Sequence, residues 1–218
     1  MRWILKRPRY WFSSRTPSYG VKYWEIRATK YGRRAVLNLG RRDDEFDVTT
    51  EMQKGEMYPL FVSCLKGTEG TVLDFGCGVG RFTPDLAVMT GGFAIGVDPI
   101  RLFLEMAPKA ENVGYALMND GIIPLRDHCI DVVWICLVLG GIRGEMMDRT
   151  VSEINRVLKF GGLLFLVENT STMRASKSWN FIQLGEMEAM FPFVSFSHLH
   201  DYYDLDERIS IIAGRKTS

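Results

Sequence analysis

A run of apolar and β-branched residues ends on a carboxylate and breaks at once into glycine at every second position: Val72-Leu73-Asp74-Phe75-Gly76-Cys77-Gly78-Val79-Gly80-Arg81-Phe82. Few folds accommodate such a stretch. It reads as a buried strand, a tight turn and the start of a helix, and the missing side chains let backbone N–H groups approach a ligand closely. The spacing is G-x-G-x-G. A dinucleotide fingerprint requires a third glycine where Arg81 stands, and a phosphate loop requires G-K-S/T, which is absent. One segment later, Phe93-Ala94-Ile95-Gly96-Val97 reads as a second buried strand with Asp98 at its carboxyl end. In an open parallel sheet, an acid there accepts both hydroxyls of a ribose lying over the first loop.

A chain of 218 residues, 46% hydrophobic and 24% charged, fits one α/β domain with a substantial core. The net charge of +1 hides an asymmetry. Residues 1–42 carry twelve Lys or Arg against the single acid Glu25, while the remainder is acidic. The four cysteines form no C-x-x-C, which argues against a zinc knuckle and for a reduced, cytoplasmic chain. No apolar run reaches the roughly 18 residues of a membrane span, and Arg and Lys interrupt the N-terminus too often for a signal peptide.

Residues 1–20 read as an arm, and Tyr23 to Gly40 as helical in part, with Trp24, Arg27, Ala28 and Tyr31 on one face. Thr49 or Thr50 is placed to cap a helix running to about Leu65. Beyond Thr71, strands are expected at 71–75, 92–97, 113–118, 130–137 and 162–168, and helices near 81–89, 100–107, 144–158 and 179–190. Strand–helix alternation implies parallel pairing with right-handed crossovers. Residues 194–204 and 207–215 read as a closing antiparallel hairpin.

Asp74, the glycine loop and Asp98 together resemble the class I S-adenosylmethionine-dependent methyltransferases. Three later segments extend the resemblance: Asn119-Asp120-Gly121, the run from Pro124 to Val133, and Glu153 to Gly162 with Arg156-Val157-Leu158-Lys159. It covers roughly residues 50–216. It implies a Rossmann-like seven-stranded sheet in the order 3-2-1-4-5-7-6, strand 7 antiparallel, with helices on both faces. Residues 1–48 then form the basic arm and a cap helix, and 49–218 the cofactor-binding domain. The implied cofactor is S-adenosylmethionine, leaving as S-adenosylhomocysteine, with no metal. The backbone at Gly76, Cys77 and Gly78 is implied to pass the methionine part, with Asp74 reaching its ammonium. Asp98 is implied to bind the ribose, Pro99 and Ile100 the adenine. Asn119, Asp120 and Gly121 form the adenine turn, and Cys136 closes the fourth strand near the ammonium. In small-molecule members an N-terminal helix closes over the cofactor. Trp24, Arg27 and Tyr31 match that role, with Arg27 toward the methionine carboxylate; a packed helix with a solvated Arg fits equally well.

The acceptor side departs from the family pattern. A His-His pair that often follows the fourth strand is replaced by Gly140 and Gly141, which removes a base and is expected to widen the site. The Asn/Asp-Pro-Pro-aromatic motif of base-amine methylation is replaced by Ile135-Cys136-Leu137-Val138. A hydroxyl acceptor needs a general base. The candidates are Glu168 at the sheet's carboxyl edge, and His198 and His200, which alternate around Leu199 and are expected on one face. Structural roles are the alternative for all three. Trp179 and Phe181 begin a segment that either covers the acceptor or packs on the sheet.

The arm interleaves its cations with Trp3, Tyr10, Trp11, Phe12 and Tyr19. That pattern fits a phosphate-bearing small substrate, an anionic membrane surface or nucleic acid; pairing with the acidic remainder, or with a neighbouring subunit of an oligomer, is the alternative. The expected function is O-methylation of a small molecule or glycan. The alternatives are an RNA or protein acceptor held by the arm, and a non-catalytic cofactor-binding subunit.

Overall fold

The computed structural model describes residues 19–172 and 178–217. The expectations for the arm, including Trp3, Tyr10, Trp11 and Phe12, lie outside the described residues. Tyr19 is described: it is exposed, with the Arg143 guanidinium 5.0 Å over its ring.

Seven strands form one sheet: β1 (Thr71–Phe75), β2 (Phe93–Asp98), β3 (Val113–Leu117), β4 (Ile130–Cys136), β5 (Leu158–Asn169), β6 (Val194–Asp204) and β7 (Glu207–Lys216). Their order is β3-β2-β1-β4-β5-β7-β6, as the resemblance implies. The first five pair in parallel, and β7 runs antiparallel between β5 and β6. Parallel neighbours require crossovers, supplied in part by α3 (Thr83–Thr90), α4 (Arg101–Met106) and α5 (Glu145–Val157).

Strand periodicity sorts the core into two layers. Leu73, Val133, Ile135, Leu164, Leu166 and Ile212 face α5 and α6 (Leu184–Met190), whose Ile154, Val157 and Met187 are fully buried. Val72, Val132, Trp134, Phe165, Val167 and Ile211 face α3 and α2 (Phe46–Cys64). Trp134 stacks on Phe165 at 4.8 Å between ring centres, and Phe61 of α2 meets both rings edge-on. A third cluster joins α1 (Gly20–Tyr31) and the 3-10 turn Gly32–Val36 to Val79, Ile100 and Phe103. Residues 24–46 are thereby packed onto the carboxyl edge of the sheet.

Two local expectations are corrected. Thr49 and Thr50 do not cap α2, which starts at Phe46. The acidic turn Asp43–Glu45 begins the winding earlier, and the Glu45 carboxylate accepts the Arg42 N–H. Thr50 then lies inside the helix and donates to the Phe46 carbonyl at 2.8 Å. Residues 179–183 are not helical. The Asn180 N–H donates to Gly140 and the Ile182 N–H to Asn169, so those donors serve the strand ends, and α6 starts after a Gln183–Glu186 capping box.

Truncating the aromatic stack tests the layer assignment. Phe61→Ala is expected to cost about 3–5 kcal/mol, read as a lower urea midpoint with unchanged slope.

Candidate active site

The glycine loop begins where β1 ends. Gly76, Gly78 and Gly80 have φ of 69°, 55° and 69°, a region that favours residues without a Cβ. The Gly76 and Cys77 N–H groups donate to the Val97 carbonyl at 2.8 and 3.1 Å, which ties the loop to β2. Asp98 completes the tie. Its Oδ2 accepts the Gly78 N–H at 3.0 Å and its Oδ1 the Ile100 N–H at 2.8 Å. Burial pushes this carboxyl up to about 6 against the pull of those N–H groups. Asp74 is deeper: burial raises it to about 7, and the Thr83 hydroxyl donates to its Oδ2 at 2.6 Å. The Cys77 thiol packs over Gly96, and burial raises its pKa well above the usual thiol value.

The chain itself fills the space above two of these glycines. A Cβ on Gly76 would lie 2.6 Å from Val138, and one on Gly78 would lie 2.7 Å from Val36. Arg27 explains the second contact. Its guanidinium donates to the carbonyls of Ala35 and Leu37, the two neighbours of Val36, and to the Tyr23 hydroxyl. It also lies 4.8 Å over the Trp24 ring. Arg27 is half-buried, and these bonds hold Val36 against the loop. Tyr31 packs in the same cap cluster as Ile100.

Pro99 is half-buried and Ile100 buried beside Asp98. Asn119 and Asp120 are exposed, and Asn119 bridges to Ile122. Asp120 has φ 50° and its carbonyl accepts from Arg149, while a Cβ on Gly121 would strike Met146. Cys136 lies with its Sγ 3.7 Å from Met57 Sδ, and burial lifts its thiol to about 12.

The acceptor side differs most from expectation. Gly140 and Gly141 do not widen the site. A Cβ on Gly140 would lie 2.4 Å from the Trp179 indole, and one on Gly141 would lie 3.3 Å from both Trp24 and Trp179. The two indoles meet edge-on at 6.3 Å. His198 and His200 do not share a face. A register shift lies between them, so His198 pairs with Ile212 and His200 with Ile211, residues of opposite core layers. His198 Nε2 contacts Asp201 at 2.9 Å, and His200 Nε2 contacts Glu56 of α2 at 3.2 Å. Both lie on the edge strand, separated from β1 by β4, β5 and β7. Glu168 is at the carboxyl edge as expected and fully buried. Its Oε1 accepts the Val138 and Leu139 N–H groups at 2.7 and 2.6 Å, while its Oε2 has no partner among the described residues.

Sequence reasoning missed a polar group under α2. Arg81 donates to Thr50 Oγ1 at 3.2 Å and to Gln53 Oε1 at 2.7 Å. The signal was present: a cation directly after the glycine loop, and three polar residues at helical spacing in an otherwise apolar face. Among the described residues, no cluster of three His, Cys, Asp or Glu is placed to hold a metal.

Burial pushes Glu168 up to about 7 from an ordinary 4.5, against the backbone N–H groups that lower it. The folded chain thus keeps a proton that the unfolded chain releases. This group lowers stability as pH rises from 4.5 to about 7, and above that the loss is complete. Glu168→Gln keeps a carbonyl oxygen for both N–H donors. Its stability relative to wild type, read from urea midpoints, is expected to rise through that window. A difference independent of pH would refute the assignment.

Residues 73–166 match the family described as methyltransferase domain. A tRNA N(3)-cytidine methyltransferase of Danio rerio is 26% identical over 175 residues, 66% of this chain and 49% of that protein. Thiol S-methyltransferase TMT1B of Rattus norvegicus is 33% identical over 144 residues, 59% of this chain and 54% of that protein. The chain spans about half the length of these curated relatives. The solved phosphoethanolamine N-methyltransferase 2 of Haemonchus contortus, in complex with phosphomonomethylethanolamine and S-adenosylhomocysteine, shares the fold with a TM-score of 0.61. That likeness has 16% identity and covers 77% of this chain and 53% of that one. With the sheet order, the glycine loop and Asp98 in place, residues 73–166 form a methyltransferase domain of the class I S-adenosylmethionine-dependent kind.

Proposed function

We propose that this chain methylates a hydroxyl oxygen of a small molecule or glycan, using S-adenosylmethionine. The observation that carries the oxygen assignment is Glu168: a buried carboxyl, pushed up to about 7, with one oxygen fixed by two N–H groups and the other without a hydrogen-bond partner among the described residues. A general base is most effective when its pKa lies near the working pH.

The residues present fit the cofactor. Each oxygen of Asp98 accepts one N–H, which leaves a lone pair on each for a vicinal diol. Ile100 and Pro99 offer an apolar wall beside it, and the turn at Asn119, Asp120 and Gly121 stands at the end of the neighbouring β3. The bound cofactor supplies an electrophilic methyl on a sulfonium. The protein's part is to position, to exclude water and to take a proton. The methionine part would lie along the loop at Gly76, Cys77 and Gly78, against Val138 and Val36, with Asp74 and Cys136 nearby. Arg27 acts as a positioning residue through Val36, and Trp24 and Tyr31 close the cap. Glu168 Oε2 accepts the acceptor's hydroxyl proton, while Trp24 and Trp179 narrow the opening over Gly140 and Gly141.

A nucleic-acid acceptor is the second reading. The excess of cations in residues 1–42 favours it, as does the tRNA methyltransferase among the relatives. It requires RNA binding that falls steeply with salt and is lost on deleting residues 1–20.

Calorimetric titration with S-adenosylhomocysteine tests the cofactor site. Asp98→Ala is expected to weaken binding by at least about tenfold, because it removes charge-assisted hydrogen bonds. Glu168→Gln is expected to keep that affinity and to lower kcat on a hydroxyl acceptor by about 10²–10⁴. Unchanged kcat would end the case for Glu168 as base.

A further inference from the structure

α5 meets the chain after β3 through one row of side chains. Met146, Arg149, Glu153 and Arg156 are spaced three, four and three residues apart, which places them on one face of the helix. The C-terminal half of the row serves a core residue. The Glu153 carboxylate accepts the Ile123 N–H at 2.8 Å, and Arg156 donates to the Ile123 and Leu125 carbonyls at 2.9 and 2.8 Å. Ile123 is 1% exposed, so these bonds satisfy backbone groups withdrawn from water.

The N-terminal half of the row meets the turn itself. Arg149 Nη1 donates to the Asp120 carbonyl at 2.8 Å. A Cβ on Gly121 would lie 2.6 Å from Met146 Sδ and 3.2 Å from Arg149 Cδ. Gly121 is accordingly buried, while Asn119, Asp120 and Ile122 around it are exposed. Asp120 and Gly121 have φ of 50° and 74°. That conformation is uncommon for a residue with a Cβ and persists where neighbouring structure enforces it. The Ile122 N–H closes the turn on the Asn119 carbonyl at 2.9 Å. Arg149 thus holds Asp120 by its backbone and leaves its side chain exposed.

This turn adjoins the acid assigned to the ribose. Met118, just before it, donates its N–H to the Asp98 carbonyl at 3.1 Å. A carboxylate followed by a backbone N–H offers an acceptor and a donor side by side. The Watson–Crick edge of adenine offers the complement, an amino donor beside a ring-nitrogen acceptor.

We propose that Arg149, backed by Met146, is a positioning residue for base recognition, fixing the Asp120–Gly121 turn so that the Asp120 carboxylate and the Gly121 N–H select adenine over hypoxanthine. The inference rests on the cofactor site proposed above and extends it to α5. A recognition group discriminates only when its own support holds it in a narrow geometry, and here that support is one hydrogen bond and one packed face.

The test compares calorimetric titration of S-adenosylhomocysteine with that of S-inosylhomocysteine, in which a carbonyl replaces the amino group of the base and the ring nitrogen carries a proton. Wild type is expected to prefer the adenine ligand by at least about tenfold, because the analogue sets acceptor against acceptor and donor against donor. Arg149→Met keeps an unbranched apolar stem over Gly121 and removes the donor. It is expected to weaken S-adenosylhomocysteine by about threefold to tenfold and to change the inosine ligand by less than about twofold, so that discrimination falls. Equal loss of both ligands, the result of a merely structural role, overturns the proposal, and so does a wild type that binds both equally. Amide exchange in the free protein needs no ligand: the Ile122 N–H is expected to exchange at least about threefold faster in Arg149→Met, and equal rates overturn the claim that Arg149 fixes the turn. If wild type binds neither ligand, the cofactor reading fails and base selection with it. If wild type and Arg149→Met bind and discriminate equally well, the cofactor reading stands and only the role of Arg149 is lost.

Discussion

The bridge from Asp98 to the Gly78 and Ile100 N–H groups joins the loop after β1 to the turn after β2. Other features of this edge depend on it. The bridge requires a close backbone approach, hence glycine at 78. It requires a carboxylate at the end of a buried strand, where desolvation holds its pKa up. It also places Ile100 under the cap, where α1 and the turn after it find an apolar partner. A single acidic side chain thus links loop conformation, cap docking and the expected ribose contact.

The cap is built by a different kind of interaction. Arg27 donates to the carbonyls that flank Val36 and so shapes the wall over the glycine loop. Val138 does the same over Gly76 from the end of β4. Over Gly140 and Gly141 the filling is aromatic, with Trp179 and Trp24 occupying the space that two absent side chains leave. Small residues at this edge do not leave an open groove; they mark where another part of the chain closes in.

Much of the framework was legible in the residues. The first strand, expected at 71–75, is Thr71–Phe75, and the closing hairpin, expected at 194–204 and 207–215, is Val194–Asp204 and Glu207–Lys216. Alternating burial and turn residues are local properties, and a buried sheet amplifies them. α2 starts before the expected threonine cap because the acidic residues Asp43–Glu45 wind a 3-10 turn that leads directly into Phe46. His198 and His200 were misread because strict alternation assumes an unbroken ladder, and a register shift between them breaks it. Arg81 was passed over because its partners Thr50 and Gln53 lie about thirty residues earlier on α2, and no spacing rule connects those positions.

What the sequence by itself determined is the order of strands and helices, the glycine loop, and the acids at the ends of the first two strands. Each depends on neighbours along the chain: strand periodicity, the φ that only glycine adopts cheaply, and the abrupt change from apolar run to carboxylate. Only the tertiary structure decided what stands above each glycine, which layer each imidazole joins, and which buried donors lack an acceptor. Those outcomes are set by pairs such as Gly78 with Val36, Gly140 with Trp179, and Gln53 with Asp204. The contacts exist because packed helices and strands bring distant residues within a few ångströms, and side-chain volume and hydrogen-bond satisfaction are settled only at that distance.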